Sequence, residues 1–443
     1  MAQIRRKHGR EFLQNGCSRG TLRPILTGMA DDSTSPGSLQ VSVVGGGIAG
    51  LTAALALRRN GHHVQIFEAS DNKTEIGAAL AVPRNALRVL DHLGISRENL
   101  KGVAFFGGVI IDPDTGESTI TRWPTPSGVQ STIGLFCHRG DLYEELRRVA
   151  MGEGEGPPVK LRLGAKVTAC DPDNGTITLS HGEIVQADLV LGADGGHSVI
   201  RTHIVGEVLK LTYSGVTCFR TVFEFPERPE LQWLTEEVTG VRSFISKEGP
   251  FRMLLMYPCR AGTLLNFIGF YDDPLEDVEG WSPKASREDI IAKFQGFHPK
   301  FLPVLDLPPH SEIFKWRLGS LPLLPTWIRG HAALVGDAAH GTLPFLAQGA
   351  ATAIEDGGAI GCLFPAGTTR GDVPERLKAY QDLRKERGEF VNTGSVEQLK
   401  HLKNQGTIRR FESVSLARLY GYDAIKTAQE CYEERFGNKS SAT

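Results

Sequence analysis

The segment Val43-Val44-Gly45-Gly46-Gly47-Ile48-Ala49-Gly50 constrains the fold more than any other part of this chain. It is a G-x-G-x-x-G set between a short apolar run, Gln40 to Val44, and a run from Gly47 to Arg59 that is apolar almost all round. The pattern predicts a strand, a tight turn and a buried helix. Gly45 permits the turn, Gly47 lets a pyrophosphate approach the backbone, and Gly50 lets helix and strand pack closely. The helix N-terminus adds unpaired N–H groups and a positive dipole end for phosphates. Gly61 marks the helix end, and Val64 to Phe67 is the next strand. Glu68 closes that strand, 23 residues after Gly45, where a carboxylate would accept both ribose hydroxyls of an adenosine. A glycine turn beside a surface glutamate is the bland alternative, but strand, helix, glycines and acid all stand in register.

Composition narrows the function classes. A chain of 443 residues, 40% hydrophobic and 23% charged, is an ordinary globular protein long enough for two or three domains. Lys and Arg number 49 against 51 Asp and Glu, so charge gives no case for a nucleic-acid or membrane-surface partner. The seven cysteines are scattered, odd in number and never spaced C-x-x-C, which favours reduced intracellular thiols and no metal site. Glycine alone is skewed, at 51 residues, roughly 12% against about 7% ordinarily. Val41 to Leu57 is interrupted by glycines and shorter than the ~20 apolar residues of a membrane span. The first 28 residues are basic and acid-poor, and Asp31 to Ser38 has nothing to bury. We read 1–38 as a flexible, dispensable leader on a cytoplasmic protein, with organelle targeting the alternative for its basic part.

Two further turns follow apolar strands. Asp188 to Gly192 runs into Asp194-Gly195 and then a helix; alone, this is an ordinary strand-turn. Ala332 to Val335 runs into Gly336-Asp337, followed by His340 and by Gln348-Gly349-Ala350-Ala351. There a carboxylate can accept from a ribityl hydroxyl, and a Gly/Ala helix can bring its N-terminal N–H groups up to a flat ring. His340 reads as a residue that holds this turn rather than as a base. Between these elements Val216 to Phe223, Phe251 to Tyr257 and Thr263 to Phe270 predict strands of one sheet. Asp141 to Ala150 and Val373 to about Val391 predict helices.

Together the three turns resemble the class A flavoprotein monooxygenases, in their salicylate-hydroxylase-like branch, over roughly residues 39 to 400. The resemblance implies an α/β fold: a discontinuous Rossmann-like FAD-binding domain with a β-sheet substrate domain and C-terminal helices. The expected division is FAD-binding segments at 39–110, 138–212 and 312–400, substrate-domain strands at 111–137, the substrate sheet at 213–311, and a helical tail at 401–443. FAD is the implied cofactor, and Gly45, Gly47, Gly50, Glu68, Asp194, Asp337, Gly349 and Ala350 its implied contacts. Cys137-His138-Arg139-Gly140-Asp141-Leu142 matches the family segment whose arginine contacts FAD, so Arg139 inherits that role. Ile76-Gly77-Ala78-Ala79-Leu80-Ala81 replaces the commoner Gly-Ala-Gly-Ile-Gln, so Ala79 and Ala81 would touch the flavin through backbone alone.

The resemblance further implies that NAD(P)H reduces the flavin, that O2 adds to give a hydroperoxyflavin, and that an electron-rich aromatic small molecule is hydroxylated. A phenol must be partly ionised to attack such an oxidant. Arg220 and Tyr257, on two of the expected substrate-domain strands, are the residues we assign to that task, the guanidinium lowering the phenol's pKa and the hydroxyl helping to orient it. The bland reading makes Arg220 an outward strand residue and Tyr257 part of the core. Rival functions are a nicotinamide-dependent dehydrogenase, which would leave Gly336-Asp337 unexplained, another FAD-linked oxidoreductase, and a flavin-binding protein without turnover.

Overall fold

The run Gln40–Val44 lies inside a six-stranded sheet with both of its faces covered: Val41 and Val43 on one face, and Ser42 and Val44 on the other, are all buried. In the computed structural model, which describes residues 26–28, 37–71, 78–122, 133–225, 228–234, 240–274, 284–309, 313–409 and 413–437, the strand order is Ile328–Arg329, Ala332–Leu334, Leu189–Gly192, Gln40–Val44, His63–Phe67, Lys160–Arg162. All neighbours are parallel except the outer pair Ile328–Arg329 and Ala332–Leu334. The helix Ile48–Arg59 crosses from the fourth strand to the fifth and packs on the helix Gly349–Leu363. A Cβ at Gly361 would lie 2.7 Å from that of Ala56, so the glycine excess serves close helix approach as well as turns.

A second sheet of eight strands runs in the order Lys284–Ala285, Ile313–Ser320, Thr212–Glu224, Leu264–Asp272, Arg252–Cys259, Gly240–Ile245, Gly107–Ile111, Ser118–Arg122. It contains the three expected strands, each somewhat longer than its apolar run. Ile313–Ser320, beyond the expected boundary at 312, pairs with Thr212–Glu224. Gly134–His138 pairs instead with Ala79–Pro83 and Val103–Phe105 in a small three-stranded sheet. Pairing across such separations leaves no local mark in composition. Leu26–Gly28, inside the segment read as flexible leader, forms a parallel strand beside Ile184–Gln186 and covers that strand's edge; the rest of the basic arm lies outside the described residues.

The helix expected to end near Val391 runs from Val373 to Gln405 and stops at Gly406 in the left-handed region (φ +59°). Asn392, Gly394 and Ser395 are weak helix formers, but tertiary contacts override them. Asn392 donates to the carbonyls of Leu321 and Gly341, Ser395 donates to Leu343, and Leu399 and Leu402 bury against the large sheet. Two shorter helices, Ser413–Tyr420 and Ala424–Phe436, follow. Among the described residues no helix is long and apolar enough to cross a membrane.

Candidate active site

The three motif turns leave the carboxyl ends of three adjacent parallel strands. Val44 pairs with Gly192, and Gly192 with Leu334, so Gly45, Ala193 and Val335 follow at one level. Ligands of open α/β sheets bind at this edge. The turns also touch one another: a Cβ at Gly45 would lie 2.3 Å from the Ala193 carbonyl oxygen, and one at Gly336 2.7 Å from the Ala49 Cβ. Elements about 150 and 290 residues apart in sequence thus build one edge.

The glycines divide by what surrounds them. Gly45 has φ +102° and no room, and Gly50 would set a Cβ 2.0 Å from the Gly45 carbonyl oxygen. Gly47 has ordinary extended backbone and nothing within 4 Å of its would-be Cβ. Packing therefore demands Gly45 and Gly50 but not Gly47, whose open side matches a phosphate cradle. Both helices that end here, Ile48–Arg59 and Gly349–Leu363, lack a side-chain cap at the N-terminus, so Gly349 and Ala350 present first-turn N–H groups.

Asp337 opens the short helix Asp337–His340 and is exposed; its carboxylate accepts no hydrogen bond from any described residue. Arg139, at the start of the helix Arg139–Met151, is half-buried. Burial pulls its pKa down, the neighbouring Arg220 guanidinium adds to this, and Asp337 opposes it. Those three charges therefore share one site. Cradle, uncapped helix ends and the open Asp337 carboxylate fit the pyrophosphate, ring and ribityl chain of FAD.

Below this edge lies a set of residues that sequence reasoning missed. Asp356 is fully buried and accepts from Gly336 N (2.9 Å), His340 Nε2 (2.6 Å) and Arg384 Nε (2.9 Å). Burial would raise its pKa, but His340, Arg384 and the Gly336 N–H outweigh that and hold it below its ordinary value. His340 is buried in this contact and holds the turn, as expected. Glu355 pairs with Arg384 and Arg387 and accepts from Asn85, which also donates to Gln348. The available signal was Glu355-Asp356 itself, two acids in an otherwise apolar Gly/Ala helix.

Two of the expected contacts also brace their own turns. The Asp194 carboxylate accepts from Ser198 Oγ (2.5 Å), Val199 N (2.7 Å) and Ile200 N (3.2 Å), so it takes up first-turn N–H groups of the helix Val199–Val205, whose N-cap is Ser198. Burial nevertheless raises its pKa, against those hydrogen bonds. Glu68 accepts from Gly46 N (2.8 Å) and Ser70 N (3.1 Å), bracing the glycine turn where a ribose would lie.

Arg220 and Tyr257 converge on one atom: Arg220 Nη2 and Tyr257 Oη both donate to the Ala79 carbonyl. Tyr257 is buried, stacks on Phe136 at 4.2 Å, and burial drives its pKa up, so it stays a donor. Both residues are thus anchored on the backbone of Ala79. Arg220 Nε, however, is buried and has no hydrogen-bond partner among the described residues. Ala81 lies two residues on, half-buried, opposite Phe136, while Ile76 and Gly77 fall outside the described residues.

The sheet edge, phosphate cradle and open carboxylate define a dinucleotide-binding protein. Residues 145–395 match the FAD binding domain family, and residues 39–222 match the pyridine nucleotide-disulphide oxidoreductase family. Hispidin-3-hydroxylase of Neonothopanus nambi is 36% identical over 419 residues, covering 91% of this chain and 99% of that protein. 3-Hydroxybenzoate 6-hydroxylase of Polaromonas naphthalenivorans is 31% identical over 385 residues, covering 85% and 91%. CtdE in complex with FAD and a substrate superposes with a TM-score of 0.77 at 25% identity, covering 91% of this chain and 100% of that one. A salicylate hydroxylase substrate complex shares the fold, with a TM-score of 0.72 at 21% identity over 89% and 98%. The chain belongs to the FAD binding domain family and is an FAD-dependent monooxygenase.

Proposed function

We propose that this monooxygenase hydroxylates a small phenolic ring in the cytoplasm, with NAD(P)H as reductant and O2 as the oxygen source, in a secondary-metabolic setting. The observation that carries the reading is Arg220 Nε, a buried donor with no hydrogen-bond partner among the described residues, on a guanidinium whose Nη2 is already held by the Ala79 carbonyl. A guanidinium with a donor to spare favours an anionic or ionisable substrate, and a phenol beside it ionises more readily. The names of the relatives, hispidin-3-hydroxylase and 3-hydroxybenzoate 6-hydroxylase, agree with that chemistry. FAD, when bound, supplies the two-electron store and the site of oxygen activation.

The protein's own groups divide the remaining work. Arg220 keeps Nη2 on the Ala79 carbonyl and has Nε to donate to a phenolate oxygen. Tyr257, held protonated by burial, fixes the same carbonyl and acts on the substrate through that strand. Gly349 and Ala350 offer helix N–H groups to the electron-rich reduced ring. Gly47 and Asp337 hold the phosphate and ribityl parts, and Asp194 and Glu68 keep the two neighbouring turns in shape. Product formation from a panel of phenols, followed with NAD(P)H consumption, tests the reading. Arg220→Ala is expected to keep FAD and lose about ten- to a hundredfold in hydroxylation rate, the value of a charge-assisted contact, with Tyr257→Phe losing less. Near-normal product from both variants at saturating substrate overturns the assignment.

A further inference from the structure

Ala79 begins the strand Ala79–Pro83, an edge strand of the small sheet that among the described residues pairs only with Gly134–His138. The Ala79 residue is fully buried, so its backbone groups need partners. All of them come from side chains of the large sheet. The carbonyl takes Arg220 Nη2 and Tyr257 Oη, and the N–H donates to Asn266 Oδ1 at 3.3 Å. These side chains stand on three adjacent strands, where Tyr257 faces Asn266, Asn266 faces Val222, and Arg220 lies two residues before Val222. One step back along the chain, the Ala78 carbonyl accepts from the backbone N–H of Arg139 at 2.8 Å. Ala78–Ala79 is thus the joint between the sheet that carries Arg220 and the helix start that carries Arg139.

Asn266 is the member of this set with no other evident duty. It is the third residue of Leu264–Asp272, an almost wholly buried strand, and is itself 0% exposed. An amide in such a place costs about 1–3 kcal/mol unless it is bonded; among the described residues its Oδ1 has the Ala79 N–H as partner, while its buried Nδ2 has none. We infer that Asn266 is a positioning residue: by holding the Ala79 peptide it fixes the large sheet against the Ala79–Pro83 strand, and so fixes where a substrate on Arg220 lies relative to the cofactor edge. Its loss loosens that register without touching the phosphate cradle or Asp337.

The inference rests on the phenol-hydroxylase reading for its coupling measurement and not for its exchange measurement. Asn266→Leu and Asn266→Asp are compared with wild type as FAD-loaded enzymes, by amide hydrogen exchange of residues 79–82, FAD dissociation constant, and product formed per NAD(P)H consumed. Asn266→Leu is expected to bind FAD within about twofold of wild type and to exchange the Ala79 amide about three- to tenfold faster, as loss of one hydrogen bond implies. Its yield of product per NAD(P)H is expected to fall by at least half. Asn266→Asp, which keeps an oxygen for the Ala79 N–H, is expected to restore exchange protection. Asn266→Ser, too short to reach Ala79, replaces the leucine variant should that fail to fold, with the same expectations. Unchanged exchange in Asn266→Leu or Asn266→Ser overturns the contact, and raised exchange with unchanged coupling overturns the positioning role. Absence of product from wild type with every phenol overturns the substrate reading instead, while the exchange comparison still decides the contact.

Discussion

Asp356 and Asp337 stand on either side of the same turn and live opposite lives. Asp356 is fully buried and accepts from a backbone N–H, a histidine and an arginine, all supplied by the protein. Asp337 is exposed and accepts nothing from the described residues. The glycines repeat the contrast: Gly50 is required by a neighbouring carbonyl, whereas Gly47 has empty space where a side chain would go. Groups the protein satisfies for itself form the frame, and we propose that the groups it leaves open are the ones a cofactor completes. That distinction separates structural from ligand-facing residues within single motifs, where sequence pattern treats them alike.

The frame should break first and hardest. Asp356→Ala leaves Arg384 and His340 buried beside a lost charge, and is expected to cost about 3–5 kcal/mol in denaturant unfolding of the apoprotein. A loss below about 1 kcal/mol would show that the buried set is not the frame. Gly50→Ala comes next: its methyl would meet the Gly45 carbonyl at 2.0 Å, and the overpacking is expected to cost about 1–3 kcal/mol, whereas Gly47→Ala leaves stability unchanged. Equal melting temperatures for the two variants would erase the contrast.

A pH series gives the smallest effect. Glu355 and Asp356 are both held below their ordinary values, by neighbouring arginines that outweigh burial and, for Asp356, by His340 as well. Their contribution to stability is therefore complete above the unfolded-state values of about 4.3 and 3.9, and is lost as pH falls through the lower native ones. Urea midpoints should accordingly fall below about pH 4 in wild type, and fall less steeply in Asp356→Asn.

What could be read in advance was local. The Gly45 to Gly50 turn, the Gly336-Asp337 turn and the three central strands of the large sheet each carry their signal within a few residues, as apolar runs broken by glycine. The Asn266–Ala79 contact spans 187 positions and leaves only a lone asparagine in an apolar strand as a trace. The continuation of the long helix through Gly394 and Ser395 depends on carbonyls of Leu321, Gly341 and Leu343, which no propensity reveals. Asp194 was visible as a residue of consequence, yet whether its carboxylate faces a ligand or takes up first-turn N–H groups of its own helix is decided by the geometry of the turn.

The central claim, that the groups left open are those FAD completes, is tested most directly by titrating FAD into the Asp337→Ala and Gly47→Val apoproteins while following their unfolding in urea. The account predicts unfolding free energies for Asp337→Ala within about 0.5 kcal/mol of wild type and an FAD dissociation constant raised about ten- to a hundredfold, as loss of a charge-assisted hydrogen bond implies. It predicts folded protein for Gly47→Val with little or no bound flavin. Folded variants that bind FAD as tightly as wild type would contradict it.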